Sequence, residues 1–144
     1  MSELVLESFS PDETRALGER LGRELVAGDV LLLSGELGAG KTLFVQGMAR
    51  GLGFAGPVSS KSFVIMGEYA GREKLYHADL YRLGGGGDDR ELGLEELPGP
   101  RGVLAIEWAE RLSVHPWDPA LAVRVTLEHA GDDARRVRIE KDAA

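Results

Sequence analysis

The first part of the chain passes from a strand pattern to a helix pattern. Leu4, Leu6 and Phe9 follow the alternation of a short strand. Residues 10–13 read Ser-Pro-Asp-Glu, which supplies an N-cap, a proline for the first turn and acidic residues near the positive end of a helix dipole. Leucines then recur at four-residue spacing through residues 17–25. We therefore predict an amphipathic helix that ends at residues 27–29.

The next segment is the most apolar of the chain. Residues 30–33 form a continuous run of one valine and three leucines, which is typical of a buried strand. Apolar residues return at helical spacing from Leu43 to Leu52. Three glycines lie between the run and the helical pattern. The predicted order is therefore strand, glycine-rich loop and helix.

Five later segments have strand patterns. Residues 62–69 and 74–80 are predicted to form a β-hairpin, and residues 102–106 form a second buried apolar run. Residues 121–127 and 136–139 alternate in the way that is typical of edge strands.

Two segments between these strands have other patterns. The glycine run at residues 84–87, followed by two aspartates, predicts a flexible loop because four glycines maximise the backbone entropy lost on ordering. Residues 91–97 are predicted to form a short helix.

Composition and charge restrict the class of protein. The chain has 144 residues, of which 43% are hydrophobic and 28% charged, and no apolar run approaches the roughly 20 residues of a membrane span. The absence of cysteine excludes disulfides and thiolate metal sites. A net charge of −7 disfavours direct binding to nucleic acid. The acidic N-terminal segment is unlike a targeting signal, so we expect a cytoplasmic protein without a membrane partner.

Residues 35–42 satisfy the phosphate-loop pattern Gly-x-x-x-x-Gly-Lys-Thr in full. Glycines permit left-handed backbone angles, so that successive N–H groups can converge on phosphate oxygens. Lys41 would reach the β- and γ-phosphates, and Thr42 would place its hydroxyl on Mg²⁺. A chain with 20 glycines could meet the bare pattern by chance, but the predicted strand before it and helix after it are the required context. The predicted nucleotide-binding residues are Gly35, Glu36, Leu37, Gly38, Ala39, Gly40, Lys41, Thr42 and Leu43.

These patterns together predict an α/β fold. We expect a single P-loop NTPase-like domain over residues 1–144, with a mixed, partly antiparallel central sheet flanked by helices. The predicted cofactors are ATP and Mg²⁺. GTP is disfavoured because the sequence contains no asparagine, and common P-loop GTPases recognise guanine through an Asn-Lys-x-Asp segment.

Two carboxylates are candidate ligands of the Mg²⁺ ion that would accompany ATP. Glu107 closes the buried run at residues 102–106, where P-loop enzymes usually carry an acidic residue, and Asp79 lies at the end of the predicted hairpin. Either could instead be a solvated carboxylate at a strand end. The predicted catalytic residues are Lys41, Asp79 and Glu107, and the predicted magnesium ligands are Thr42, Asp79 and Glu107.

Four blocks in this order resemble the TsaE family: the phosphate loop, Ser60-Lys61-Ser62-Phe63, His77-Ala78-Asp79-Leu80-Tyr81-Arg82 and Ile106-Glu107-Trp108. The resemblance runs from about residue 10 to about residue 127. It implies the small bacterial ATPase of the machinery that makes N6-threonylcarbamoyladenosine (t6A) in tRNAs reading ANN codons. That ATPase works with the TsaD and TsaB proteins. Its hydrolysis would be weak alone and dependent on those partners, which would themselves contact the tRNA.

The resemblance also implies roles for single residues. Lys41 matches the phosphate lysine, Thr42 the Mg²⁺ hydroxyl, Glu107 the metal-side carboxylate and Asp79 the acid of the His-x-Asp-x-Tyr-Arg block. Ser62 matches a switch-like serine or threonine.

Several matched positions have a second interpretation. Trp108 would serve the active centre or partner docking, or be a core aromatic. Arg82 would touch phosphate or pair with a carboxylate. His77 and Tyr81 belong to the same block and are also candidates, although a histidine on a strand is more often structural. Lys61 stands where the family usually has proline, which changes the backbone preference beside Ser62.

Two other functions remain open at this point. A small-molecule kinase also uses a phosphate loop, but such enzymes generally need an arginine-rich lid, and the arginines of this chain are scattered. A nucleotide-dependent binding module would use ATP to order a surface for a partner, with incidental hydrolysis.

Overall fold

The computed structural model describes residues 2–35, 40–54, 66–80, 102–112 and 122–141. The described elements, in chain order, are β1 (Ser2–Ser8), α1 (Pro11–Glu24), β2 (Val30–Gly35), α2 (Lys41–Gly51), β3 (Met66–Tyr69), β4 (Lys74–Asp79), β5 (Gly102–Glu107), a 3-10 turn (Ala109–Arg111), β6 (Ala122–His129) and β7 (Arg135–Lys141). None of the helices in these ranges combines the length and apolarity needed to cross a bilayer.

The described strands form one seven-stranded sheet in the order β1-β7-β6-β2-β5-β4-β3. The four central strands β6, β2, β5 and β4 are parallel, whereas β1, β7 and β3 are added antiparallel at the two ends. This arrangement confirms the predicted α/β fold with a mixed, partly antiparallel sheet and flanking helices. Because β2 lies between two parallel neighbours, the loop that follows it emerges at the carboxyl edge of the sheet, where ligands bind in such folds.

The first helix begins at the N-cap that the sequence predicts. The Ser10 side chain accepts a hydrogen bond from the Glu13 backbone N–H at 3.1 Å, and the Glu13 carboxylate accepts one from the Phe9 N–H at 2.7 Å. Pro11 occupies the first turn, where its missing N–H costs nothing. The helix ends at Glu24, slightly before the predicted boundary.

Helices α1 and α2 pack against each other through glycines. A side-chain carbon on Gly18 or Gly22 would collide with the backbone of α2 at Phe44 or Met48. Likewise, a side-chain carbon on Gly47 would collide with the Arg15 carbonyl, and one on Gly51 with the Glu19 carbonyl. Both helices therefore carry a pair of glycines four residues apart, which brings the two backbones into direct contact.

Two apolar clusters cover the two faces of the sheet. The larger one joins α1 and α2 to the inward residues of the strands, with Phe44, Met48, Leu31 and Leu33 among its fully buried members. The smaller one lies on the opposite face, around Ile106. The continuous apolar runs in β2 and β5 are therefore buried on both faces, as predicted.

The prediction that residues 121–127 and 136–139 form edge strands is wrong. Strand β6 lies between β7 and β2, and β7 lies between β1 and β6. Their alternation arises because one face of each strand packs on the larger cluster while the other face is more exposed. Alternation of apolar and polar residues indicates that a strand is buried on one face, and it does not indicate whether the strand is central or at an edge. The glycine run at 84–87 and the predicted helix at 91–97 lie outside the described residues, and the single domain over residues 1–144 stays a prediction.

Candidate nucleotide site

The predicted phosphate loop lies between β2 and α2, in the order that the sequence indicates. Gly35 ends β2 with φ of 146°, and Gly40 precedes α2 with φ of 100°, so both adopt backbone angles that favour glycine. A side-chain carbon on Gly35 would also collide with the Leu127 carbonyl in β6. The four loop residues Glu36, Leu37, Gly38 and Ala39 lie outside the described residues, whereas Leu43 lies in the first turn of α2.

Lys41 begins α2 and is only 5% exposed. Its ammonium donates a hydrogen bond to the Gly35 carbonyl at 2.5 Å and lies 4.0 Å from the centre of the Trp108 ring. Burial lowers the pKa of Lys41 below its ordinary value, and the carboxylates of Glu107, Glu110 and Asp79 oppose that shift. The lysine is thus a largely desolvated cation held at the start of the helix.

Trp108 is both a neighbour of the lysine and part of the core. Its ring packs against the smaller apolar cluster on one side and under the Lys41 ammonium on the other. Its backbone has φ of 60° and ψ of 43°, a left-handed conformation that is rare for an aromatic residue. The preceding Glu107 carbonyl accepts a hydrogen bond from the Leu80 N–H at 3.1 Å, which fixes the start of this turn. Such strain is common at functional sites.

The Thr42 hydroxyl and the Glu107 carboxylate meet at this edge of the sheet. Thr42 Oγ1 lies 3.2 Å from Glu107 Oε1 and 3.4 Å from Oε2. Glu107 is the last residue of β5 and is 2% exposed. A carboxylate buried this deeply needs hydrogen-bond donors to offset the cost of its desolvation, and Thr42 is one of them.

Asp79 and His77 complete the polar cluster from β4. Asp79 is paired with Glu107 in the register of the parallel strands β4 and β5, so their carboxylates leave the sheet side by side. His77 lies two residues earlier on the same face of β4, and its Nε2 atom is 2.5 Å from Glu107 Oε2. The structure therefore brings together Lys41, Thr42, Asp79, Glu107 and Trp108. Ser62, Arg82 and Lys61 lie outside the described residues.

The oxygen-bearing side chains of this cluster fit a magnesium ion. Within the described ranges, no three histidine, aspartate or glutamate side chains are grouped as a cage for a metal. Mg²⁺ is usually held by one or two protein oxygens together with phosphates and water, so a cage is not required. The Thr42 hydroxyl and the Glu107 carboxylate, which already meet, are a suitable pair of ligands, with Asp79 beside them.

Sequence reasoning did not connect His77 with Glu107. His77 was a candidate of the matched block with a structural role also open, and its imidazole contacts the carboxylate proposed for the metal. The available signal was its position two residues before Asp79, because residues i and i+2 of a strand share a face. Sequence reasoning also did not identify the glycine pairs that hold α2, whose spacing of four is visible in both helices.

Comparison with known proteins identifies the family. The model of the family described as "Threonylcarbamoyl adenosine biosynthesis protein TsaE" matches residues 8–137. The chain is 40% identical to the tRNA threonylcarbamoyladenosine biosynthesis protein TsaE of Nostoc sp., covering 89% of this chain and 80% of that protein. It is 38% identical to the protein of the same name from Bacillus subtilis, covering 95% and 85% of the two chains.

A solved structure agrees with these matches. The crystal structure of Bacillus subtilis YdiB superposes with a TM-score of 0.78 at 34% identity, covering 97% of this chain and 86% of that one. The fold and the sequence thus match over nearly the same length. On these grounds, this chain belongs to the TsaE family of threonylcarbamoyladenosine biosynthesis proteins.

Proposed function

We propose that this chain is the Mg²⁺-dependent ATP-binding and ATP-hydrolysing component of the bacterial t6A machinery. In this proposal it acts in the cytoplasm with the TsaD and TsaB proteins and meets tRNA only through that complex. The observation that carries the proposal is the meeting of Thr42 with the buried carboxylate of Glu107, directly beside Lys41 at the start of α2. The net charge of −7 supports an indirect role toward tRNA.

Lys41 is the group that binds the phosphates in this proposal. Its ammonium is largely buried, donates to the Gly35 carbonyl and lies over the Trp108 ring at the start of α2, where a phosphate oxygen would be a charge-assisted partner. The N-terminus of α2 adds partial positive charge at the same place. Both effects favour binding of the ATP phosphates before hydrolysis begins.

Thr42 and Glu107 hold the metal in this proposal, with Asp79 as an additional carboxylate. Bound Mg²⁺ would neutralise the charge that develops on the β- and γ-phosphate oxygens. The protein's own contribution is to orient the hydroxyl and the carboxylates on fixed elements, with Glu107 at the end of a fully buried strand. Side chains that are held in place beforehand need little reorganisation during the reaction.

The test is ATP hydrolysis by the purified protein, alone and with TsaD and TsaB from the same organism. We expect slow hydrolysis alone and stimulation by the partners, and Lys41→Ala should lose both. Lys74→Ala is the matched control, because Lys74 is an exposed lysine on β4. If ATP binds but the partners do not stimulate hydrolysis, the proposed place in the t6A machinery is wrong.

A second experiment separates this proposal from a binding module with incidental hydrolysis. In a binding module, Glu107→Gln would change partner affinity and leave the stimulated rate unchanged. In an ATPase the same variant should lose the stimulated rate. Transfer of phosphate to a small acceptor, with no partner stimulation, would instead indicate a kinase.

A further inference from the structure

His77 and Glu107 form a buried pair, and the proposed function gives His77 no role. Their side chains are 5% and 3% exposed, and the His77 Nε2 atom lies 2.5 Å from Glu107 Oε2. They come from neighbouring parallel strands, and His77 is paired in register with Ala105, two residues before Glu107. The contact is therefore a diagonal one across two strands of the sheet, where the backbone leaves little freedom.

Both oxygens of Glu107 lie within hydrogen-bond distance of Thr42, and Oε2 also contacts His77. Oε2 accepts the hydrogen bond from His77, whereas Oε1 is the nearer of the two oxygens to Thr42, at 3.2 Å. A hydrogen bond to one oxygen fixes the rotation of a carboxylate about its last side-chain bond. The imidazole thereby turns Oε1 toward the Thr42 hydroxyl and the start of α2.

We propose that His77 is a positioning residue that orients the Glu107 carboxylate for Mg²⁺. The inference rests on the proposed function, because it concerns the same metal side of the nucleotide site. His77 does not itself contact the nucleotide or the metal in this proposal. Hydrogen-bond partners of metal-ligating side chains commonly change metal affinity about 10- to 100-fold when removed.

The test measures nucleotide binding with and without the metal. Isothermal titration calorimetry gives the affinity for ADP in excess EDTA and in excess Mg²⁺, and the ratio of the two is the gain due to Mg²⁺. His77→Leu removes the donor, whereas His77→Gln keeps an N–H near the position of Nε2. His129→Gln is the matched control, since His129 is an exposed histidine at the end of β6.

We expect His77→Leu to reduce the gain due to Mg²⁺ by about 10- to 100-fold while the affinity in EDTA stays within about twofold. His77→Gln should restore most of the gain. A merely structural histidine would not produce this difference, because loss of packing would weaken binding with and without Mg²⁺ alike.

Four results would overturn the inference. An unchanged gain in His77→Leu would remove any role in orienting Glu107, and equal losses with and without Mg²⁺ would make His77 structural. If the wild-type protein shows no gain from Mg²⁺, the proposed function fails and the inference fails with it. If His77→Leu does not fold, His77→Asn replaces it, because the shorter amide does not reach the carboxylate. His77→Asn should lose the gain due to Mg²⁺ that His77→Gln keeps. Equal gains in His77→Asn and His77→Gln would overturn the inference.

Discussion

The side chains of Thr42 and Glu107 meet although 65 positions separate them, with Oγ1 of Thr42 3.2 Å from Oε1 of Glu107. The contact joins the first turn of the helix after the phosphate loop to the end of the neighbouring strand. Loop, helix and strand thus present their polar groups at one edge of the sheet.

Thr42→Val should keep the shape of the side chain and lose the hydroxyl that we propose as a ligand of Mg²⁺. We expect it to reduce the gain in ADP affinity due to Mg²⁺ by at least about tenfold, because loss of even an indirect partner of a metal costs that much. Thr42→Ser keeps the hydroxyl and should retain the gain. Calorimetric titration with and without EDTA measures both variants, and equal behaviour of valine and serine would contradict the role of the hydroxyl.

Lys41→Met should abolish ATP binding without lowering the stability of the nucleotide-free protein. Burial lowers the pKa of Lys41 below its ordinary value of 10.5, so the folded protein disfavours the ammonium relative to the unfolded chain. Between the lowered pKa and 10.5 the unfolded chain binds more protons, and the free energy of unfolding therefore rises with pH in that window. The methionine variant should lack this rise.

Urea unfolding at a series of pH values measures the effect of Lys41→Met. Lys74→Met is the control, because the Lys74 side chain is 45% exposed. A Lys41→Met protein that is clearly less stable than the wild type at neutral pH would show that the contacts with Gly35 and Trp108 outweigh the desolvation.

Gly47→Ala should strongly destabilise the protein. The added methyl group would collide with the Arg15 carbonyl of α1, and a backbone atom cannot move aside as a flexible side chain can. Overpacking costs roughly 1–3 kcal/mol, and a collision with a backbone carbonyl belongs at the upper end, so it outweighs the roughly 1 kcal/mol that alanine gains over glycine in a helix. Arg50→Ala, on the exposed side of the same helix, should change the free energy of unfolding by less than about 0.5 kcal/mol. Thermal or urea unfolding compares the two, and equal stabilities would show that the helices separate easily.

Trp108→Gly should be more stable than Trp108→Ala. Both variants lose the ring that packs under Lys41 and against the smaller cluster, but only alanine keeps a side chain in the left-handed conformation with φ of 60°. That conformation costs about 1–2 kcal/mol for a residue with a side chain, which more than offsets the greater entropy of a glycine in the unfolded chain. The difference in the free energy of unfolding between the variants measures the strain. A more stable alanine variant would mean that the turn relaxes once the ring is gone.

The sequence was sufficient to predict the phosphate loop because two independent signals coincide there. The pattern of residues 35–42 indicates the chemistry, and the apolar run before it together with the helical spacing after it gives the context. Glu107 was predicted for a similar reason, since it closes a second buried run that ends at the same edge of the sheet. Signals that are local along the chain therefore located β2, α2 and β5 correctly, and the chemistry of the residues beside them stays a prediction.

What could not be predicted depends on which strands are neighbours. The contact between His77 and Glu107 requires β4 to lie beside β5, and periodicity within a strand carries no information about its partner. The lack of information about strand neighbours also explains the wrong prediction of edge strands. Apolar and polar residues alternate in any strand that is buried on one face, wherever the strand lies in the sheet. The glycine contacts of α1 and α2 likewise depend on how the two helices cross.

The pairing of β1 with β7 also governs when the protein can finish folding during its synthesis. Val5 is paired with Arg138, so the first described strand has no described partner in the sheet until synthesis has passed residue 138. Bacterial and other ribosomes add about 5–20 residues per second, so this delay is on the order of ten seconds. Throughout it the backbone groups of β1 lack the partners that β7 supplies in the folded sheet. The predicted phosphate loop between β2 and α2 is thus synthesised well before β7, the strand that completes this end of the sheet.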